Sequence, residues 1–366
     1  MHGSSFLVRT LITLFFLLAA LFFLVGGKTG PAPIICDEGT SPATVTLIGD
    51  LLIGSGVVWD GIIADQYSST IVGQYRTLFD KSDIVFANFE GIISGAVEPR
   101  PKGLPPQFSL RTDPSVVRFL ENLGPLVLSF ANNHSADYGE VGIKNALAVL
   151  RESDITHTGI GENLQAALSP VLKDVSGVRV GFLSFTDLLP ESSYASEKRL
   201  GVAKLSIENL RISLAETKKL SDFVIVSLHT ATDVRKAYSF WPDAHQIEYA
   251  RLAIDNGADM VVGQHPHGLQ SVEVYKGKVI LHSLGLFIYD PSVSQRYDVS
   301  DPLFSGTRFN GGAVAEVKIC QEGLRDVSIS PSRAIKSDNR YMVVPDNSLT
   351  TFLKVSFIRL RLYLLL

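Results

Sequence analysis

Cysteine is nearly absent from this sequence. Cys36 and Cys320 are the only two in 366 residues, which excludes a cysteine-rich scaffold or a thiolate zinc cluster and permits one disulfide at most, whose pairing the sequence does not give. A dominant charge of one sign is missing too: 33 Lys and Arg stand against 37 Asp and Glu, for a formal net charge of -4. Nothing resembles the basic footprint that neutralises a phosphate backbone, so no nucleic acid is expected as a partner. Internal repeats and low-complexity tracts are lacking as well. What is plentiful is apolar material: 46% of residues are hydrophobic and 19% charged, which excludes a disordered chain and suffices for one large α/β core.

Part of that material lies at the N-terminus. Residues 6–25 are almost wholly apolar, with Arg9 near the start and Thr13 interrupting the run 11–25, before Gly26-Gly27-Lys28. Roughly 20 residues at about 1.5 Å each reach about 30 Å, enough to cross a bilayer if Arg9 snorkels. The shorter run alone has the length of a signal-peptide core, with Gly26 and Gly27 as small residues at a cleavage point. Residues 1–27 are therefore a signal peptide or a membrane anchor. Either reading sends the rest of the chain out of the cytoplasm, to the extracytoplasmic face of the membrane or into secretion, with the membrane as a partner through this segment.

Residues 28–42 are rich in Gly, Pro, Ser and Thr and suit a linker. A folded domain is expected over 43–320, followed by a C-terminal strand or tail over 321–366. The stretch 350–366 is apolar but interrupted by Lys354, Arg359 and Arg361, which fits an edge strand, a docking tail or a surface-seeking helix. Within the domain, short apolar runs at 44–48, 84–87, 126–130, 178–184, 223–228 and 260–262 read as buried strands. Helical patterns fall between them: 114–123 after Asp113-Pro114, 141–151, and 244–256 between Asp243 and Gly257. Residues 272–275 and 279–282 flank Lys276-Gly277-Lys278 as a hairpin. Such alternation predicts a layered α/β architecture.

Several of these strands end in a residue able to bind a metal. Asp50 follows the first in Ile48-Gly49-Asp50, and Glu90 the second in Asn88-Phe89-Glu90. Asn133 and His134 follow the third in Ala131-Asn132-Asn133-His134. His229 closes Val226-Ser227-Leu228-His229, and Gln264-His265-Pro266-His267 follows the last. Taken singly, each has an ordinary reading: Gly-Asp is a common turn, a strand-end His is often a core residue, and Asp137 suits the N-cap of the next helix as well as it suits a partner for His134. Together they are a different matter, because α/β sheets assemble their sites at the carboxyl ends of strands. Carboxylate, amide and imidazole form a mixed oxygen and nitrogen donor set that suits one or two manganese, iron or zinc ions.

The order and spacing of Gly49-Asp50, Asn88-Phe89-Glu90, the run from Ala131 through His134 and Asp137 to Gly139, Gly159-Ile160-Gly161-Glu162-Asn163, Gly257-Ala258-Asp259, Gly263 to His267 and Ser283-Leu284-Gly285 resemble the CapA family of capsule and poly-gamma-glutamate biosynthesis proteins, within the calcineurin-like metallophosphatase superfamily. The resemblance covers roughly 44–290. It implies an αββα sandwich of two mixed sheets flanked by helices, with Asp50, Glu90, Asn133, His229, His265 and His267 as metal ligands. His134 matches the residue that contacts or protonates the leaving group, and Asp137 would position it. Three departures stand out. Leu52 replaces the His of the superfamily's Asp-x-His, as in the CapA pattern itself. Thr230-Ala231-Thr232-Asp233 replaces Trp-Gly-x-Glu after His229, and Leu286 replaces an Asn. The chain is accordingly expected to be a metal-dependent phosphoesterase, or else a non-catalytic, membrane-held part of a polymer synthesis or export complex with a structural or vestigial metal site.

Overall fold

The expected strands lack the polar and apolar alternation of a half-exposed sheet, and this decides where they lie. In the computed structural model, strand β1 (Ala43–Leu52) buries every residue except Thr44, the pattern of a strand covered on both faces. The structure describes residues 36, 40–53, 73–96, 109–232, 239–289, 312–337 and 340–345. The segment 1–27 and the apolar stretch 350–366 lie outside the described residues. Among the described helices, none is long and apolar enough to cross a membrane.

After β1 come α1 (Gly73–Phe79), β2 (Ile84–Phe89), the two-residue strands β3 (Ile92–Ile93) and β4 (Arg111–Thr112), α2 (Val117–Leu120), β5 (Leu126–Ser129), α3 (Gly139–Arg151), β6 (Thr156–Thr158), β7 (Ile160–Gly161) and α4 (Leu164–Leu168). The chain continues through β8 (Val171–Val175), β9 (Val178–Thr186), β10 (Gly201–Val202), α5 (Ile207–Leu220), β11 (Phe223–His229), α6 (Ala244–Asp255), β12 (Met260–Gln264), β13 (Val272–Tyr275), β14 (Lys278–Leu281) and β15 (Leu286–Tyr289). It closes with β16 (Gly312–Cys320), β17 (Gly323–Ser337) and β18 (Arg340–Pro345).

Two large mixed sheets result, one ordered β15-β18-β17-β16-β1-β2-β5-β6 and the other β13-β14-β12-β11-β9-β8. Strands β1, β2, β5 and β6 are mutually parallel, as are β9, β11, β12 and β14. The inner faces pack on each other through Val45, Leu47, Phe86 and Val127 against Phe182, Ile225 and Val262, and the Phe86 and Phe182 rings stack with centroids 5.3 Å apart. On the outer face of the larger sheet, Phe89 and Phe130 pack with Ile143 and Leu147 of α3. On that of the smaller, Phe185 and Val226 pack with Leu214 of α5 and Ile254 of α6. This is the αββα sandwich.

Local chemistry accounts for most boundaries. Asp243 caps α6 in a reciprocal box with Gln246, accepting from its backbone N–H at 2.9 Å while the Gln246 Oε1 accepts from that of Asp243 at 3.0 Å. The expected single helix at 114–123 instead comes as a 3-10 turn at Pro114–Val116, the short α2, and a second 3-10 turn at Glu121–Leu123. Gly124, with a φ of 98°, then ends the helical stretch and turns the chain toward β5. Beyond Cys320 the chain folds back, and β17 and β18 extend the larger sheet next to β16. Cys36 and Cys320 form a disulfide, which staples the segment before β1 to the end of the strand that pairs with it.

Candidate functional site

The parallel strands of both sheets deliver their last residues to one place. Near its end, β1 slips register against β2 between Leu47 and Asp50 and against β15 between Asp50 and Leu51, and such irregularities re-aim a side chain. Asp50 Oδ1 accepts a hydrogen bond from Asn88 Nδ2 at 2.8 Å, and Oδ2 accepts from the His265 backbone N–H at 3.2 Å. Asn88 crosses to the other sheet, its Nδ2 lying 3.2 Å from His229 Nδ1. His229 Nε2 lies 2.8 Å from Asn133 Oδ1 and 3.1 Å from His265 Nδ1. Glu90 Oε2 is 2.8 Å from His267 Nε2. Its Oε1 is buried without a hydrogen-bond partner and lies 3.9 Å from His134 Nε2.

All eight side chains singled out from the sequence thus come together. Two overlapping groups have ligand atoms within 4.8 Å of one another: Glu90, His229 and His265, and Asp50, Glu90 and His267. Glu90 belongs to both. Asn133 joins through His229, and His134 stands beside Glu90. Asp137 does not cap the following helix: the N-cap of α3 is Tyr138, without a side-chain cap bond. Instead Asp137 Oδ2 lies 2.8 Å from His134 Nδ1 and accepts the Leu110 backbone N–H at 2.6 Å. Both His265 and His267 have positive φ, 91° and 55°, a conformation that non-glycine residues hold only where the surroundings demand it.

Residues 44–291 match the family model described as "Bacterial capsule synthesis protein PGA_cap". The chain belongs to this family. It is 32% identical over 279 residues to the capsule biosynthesis protein CapA of Bacillus anthracis, covering 75% of this chain and 66% of that one. It is 30% identical over 278 residues to the PGA biosynthesis protein CapA of Bacillus subtilis (strain 168), covering 75% and 70%. The match therefore spans about two thirds of the length of these relatives. Among solved structures it is similar to a calcineurin-like phosphoesterase from Bacillus subtilis, with a TM-score of 0.41 and 14% identity over 84% of this chain and 89% of that one.

In this member of the capsule-synthesis family the donor set fits a divalent cation. A buried carboxylate oxygen with no partner, as at Glu90, is costly unless something positive reaches it. The electrostatics point the same way. Burial, and then the neighbouring Glu90 charge, push Asp50 up to about 7. Burial likewise pushes His265 down to about 4 and His229 well below the ordinary imidazole range. At Glu90 burial acts upward but is outweighed by His267, whose charge and hydrogen bond hold the carboxyl well below its usual range. His267 itself, against the downward pull of burial, is raised to about 9 by Glu90. Two neutral imidazoles and two crowded carboxylates are the protonation pattern a metal ion exploits, with a His267 proton standing where a cation would neutralise Glu90.

Sequence reasoning passed over three contributors. Asn88 ties Asp50 to His229, and its signal was a polar residue in an otherwise apolar strand. Asn132 shapes the loop, donating to the Phe89 carbonyl at 2.7 Å and accepting the His134 backbone N–H at 3.0 Å. Asp187, just after β9, accepts from Thr230 Oγ1 at 2.6 Å and faces His245 Nε2 at 2.5 Å; no spacing in the sequence links these three. The departures from the family pattern are visible as well: Leu52 and Leu286 are buried, Leu286 pairs in register with Asp50, and Asp233 lies outside the described residues.

Proposed function

We propose that this chain is a divalent-metal-dependent phosphoric ester hydrolase acting on an intermediate of an anionic cell-envelope polymer, at the extracytoplasmic face of the membrane. The carrying observation is Glu90, shared by two groups of converging ligand atoms. Asp50, Glu90, Asn133, His229, His265 and His267 would hold one or two ions, and the oxygen and nitrogen donors suit manganese, iron or zinc. Bound there, such ions supply Lewis acidity that polarises a phosphoryl group. The protein's own share is positioning and proton transfer. Asp137 fixes His134 through Nδ1, and Nε2, on the side of Glu90, would give a proton to a departing ester oxygen. General acids of this kind contribute about 10² to 10⁴ in rate. The polymer and the location rest on the names of the relatives, which speak of capsule and PGA biosynthesis, and on the apolar segment 6–25.

A second reading, a non-catalytic component of a polymer synthesis or export complex, is favoured by Leu286, an apolar residue beside Asp50 where the resemblance leads one to expect an amide. One experiment separates the two. The full-length protein, purified in detergent and loaded with manganese, is assayed on an aryl phosphodiester and an aryl phosphomonoester. The hydrolase reading expects turnover that falls about 10²-fold to 10⁴-fold in His134→Ala at unchanged metal content, and loss of metal in His265→Ala. Stoichiometric metal with no turnover of either ester defeats it in favour of the assembly role.

A further inference from the structure

Directly beneath the site, between the two sheets, lies a layer of small polar residues where an apolar core would be expected. Strand parity places it. Phe86 and Phe182 stack across the sheets. Two residues further along each strand, the same inward face carries Asn88 and Ser184. Their in-register neighbours are Ser129 beside Asn88, Thr158 beside Ser129, and Ser227 beside Ser184. One level higher, Gln264 pairs with His229. The sheets approach closely here, since a Cβ on Gly159 would meet Ser184 Cβ at 3.1 Å.

Ser129, Thr158, Ser184, Ser227 and Gln264 are all buried, with relative exposures of 3% or less. Six of their side-chain atoms have no hydrogen-bond partner in the protein: the four hydroxyl oxygens and both Nε2 and Oε1 of Gln264. A buried hydroxyl or amide left without a partner costs on the scale of a lost hydrogen bond, and native interiors hold few such groups. Four hydroxyls in the layer of Asn88 and the Gln264 amide one level above it, with the Phe86 and Phe182 rings below, share one remedy. Buried water bonds about three otherwise unsatisfied polar groups at a time, so a few molecules would satisfy all six atoms.

We infer that the two sheets enclose a water-binding chamber, lined by Ser129, Thr158, Ser184, Ser227 and Gln264, that backs the strand ends carrying Glu90, His229 and His265. Its ligand is a small cluster of ordered water, held by neutral hydroxyl and amide groups. The cluster supports the metal-binding residues from behind by completing the hydrogen bonding of the strands that present them. The inference is independent of whether the site hydrolyses anything.

The test has two arms. A crystal structure of the full chain, at a resolution that shows bound water, is expected to contain density within hydrogen-bond distance of at least two of Ser184, Ser227 and Gln264; an empty layer overturns the inference. Thermal unfolding gives the second arm by its sign. With water in place, Ser184→Ala and Gln264→Leu remove partners from the cluster, and each lowers Tm by about 2 °C or more. In a dry layer the same substitutions delete unsatisfied polar atoms, so Tm stays level or rises, and that result also overturns it.

Discussion

At the residue scale the site holds two protons, on Asp50 and His267, that a metal ion would have to displace. Burial, reinforced by Glu90, keeps Asp50 protonated up to about 7. At His267 burial works against the proton, but Glu90 keeps it in place up to about 9. Both values lie above those of the unfolded chain, near 3.8 and 6.5. The stability each contributes is therefore complete on the acid side and lost as pH rises, through about 7 for Asp50 and about 9 for His267. Glu90, depressed, contributes stability above its ordinary 4.5 and loses it only in strong acid. The metal-free protein should thus weaken between pH 6 and 9, while metal binding, which needs both groups deprotonated, strengthens over the same range. Melting curves in chelator and in manganese at each pH unit should show a metal-induced gain in Tm that grows toward pH 9; a gain that shrinks would contradict the assignment. Asp137 supplies a second prediction. Asp137→Asn leaves the shape but not the carboxylate that orients His134, and should lower ester turnover about 10-fold to 100-fold, the range seen for groups that orient functional imidazoles, at unchanged metal stoichiometry.

At the element scale, the approach of β1 to the turn before β15 sets Asp50 in place. The Asp50 backbone N–H donates to the Gly285 carbonyl at 2.9 Å, and a Cβ on Gly49 would sit 1.9 Å from that same oxygen. Gly49→Ala must push the strands apart, which should cost about 3 kcal/mol or more and release bound metal. Gly95→Ala, whose Cβ would meet nothing within 4 Å, should be near neutral in the same denaturant titration. These elements also show what a sequence can and cannot disclose. Strands β1, β2, β5, β9, β11 and β12 announce themselves as apolar runs because both of their faces are covered, and the ligands are legible because each stands just beyond such a run. By contrast, β17 holds Arg325, Asp326 and Pro331, and only Val327-Ser328-Ile329-Ser330 alternates within its fifteen residues, too short a signal to give the strand its length. It forms because β16 lies alongside through a tight hairpin. Strands β7 and β10 have two residues each and exist only through their mutual pairing. The link from Asp187 to His245 joins the end of β9 to the start of α6, and only the packing of that helix on the smaller sheet brings it about.

At the scale of the whole molecule, the disulfide joins points 284 residues apart in sequence and so encloses nearly every described element. Cys36 lies in the stretch whose composition reads as a linker, while Cys320 ends β16, which pairs antiparallel with the start of β1 from Ala43 opposite Ile319. The bond therefore ties Cys36 to the end of β16, beside the start of β1. Cross-links of this kind add about 2 to 5 kcal/mol, chiefly by restricting the unfolded chain, and they persist where the surroundings are oxidising. The two properties make compartment and stability a single measurement. Protein recovered from the membrane or secreted fraction should show no reactive thiol when denatured without reductant. A version lacking residues 1–27, retained in the cytoplasm, should show two and melt at a lower temperature, and Cys36→Ser in the exported protein should reproduce that lower melting point. Two free thiols in the native full-length protein would place the domain on the reducing side of the membrane and remove the argument for export.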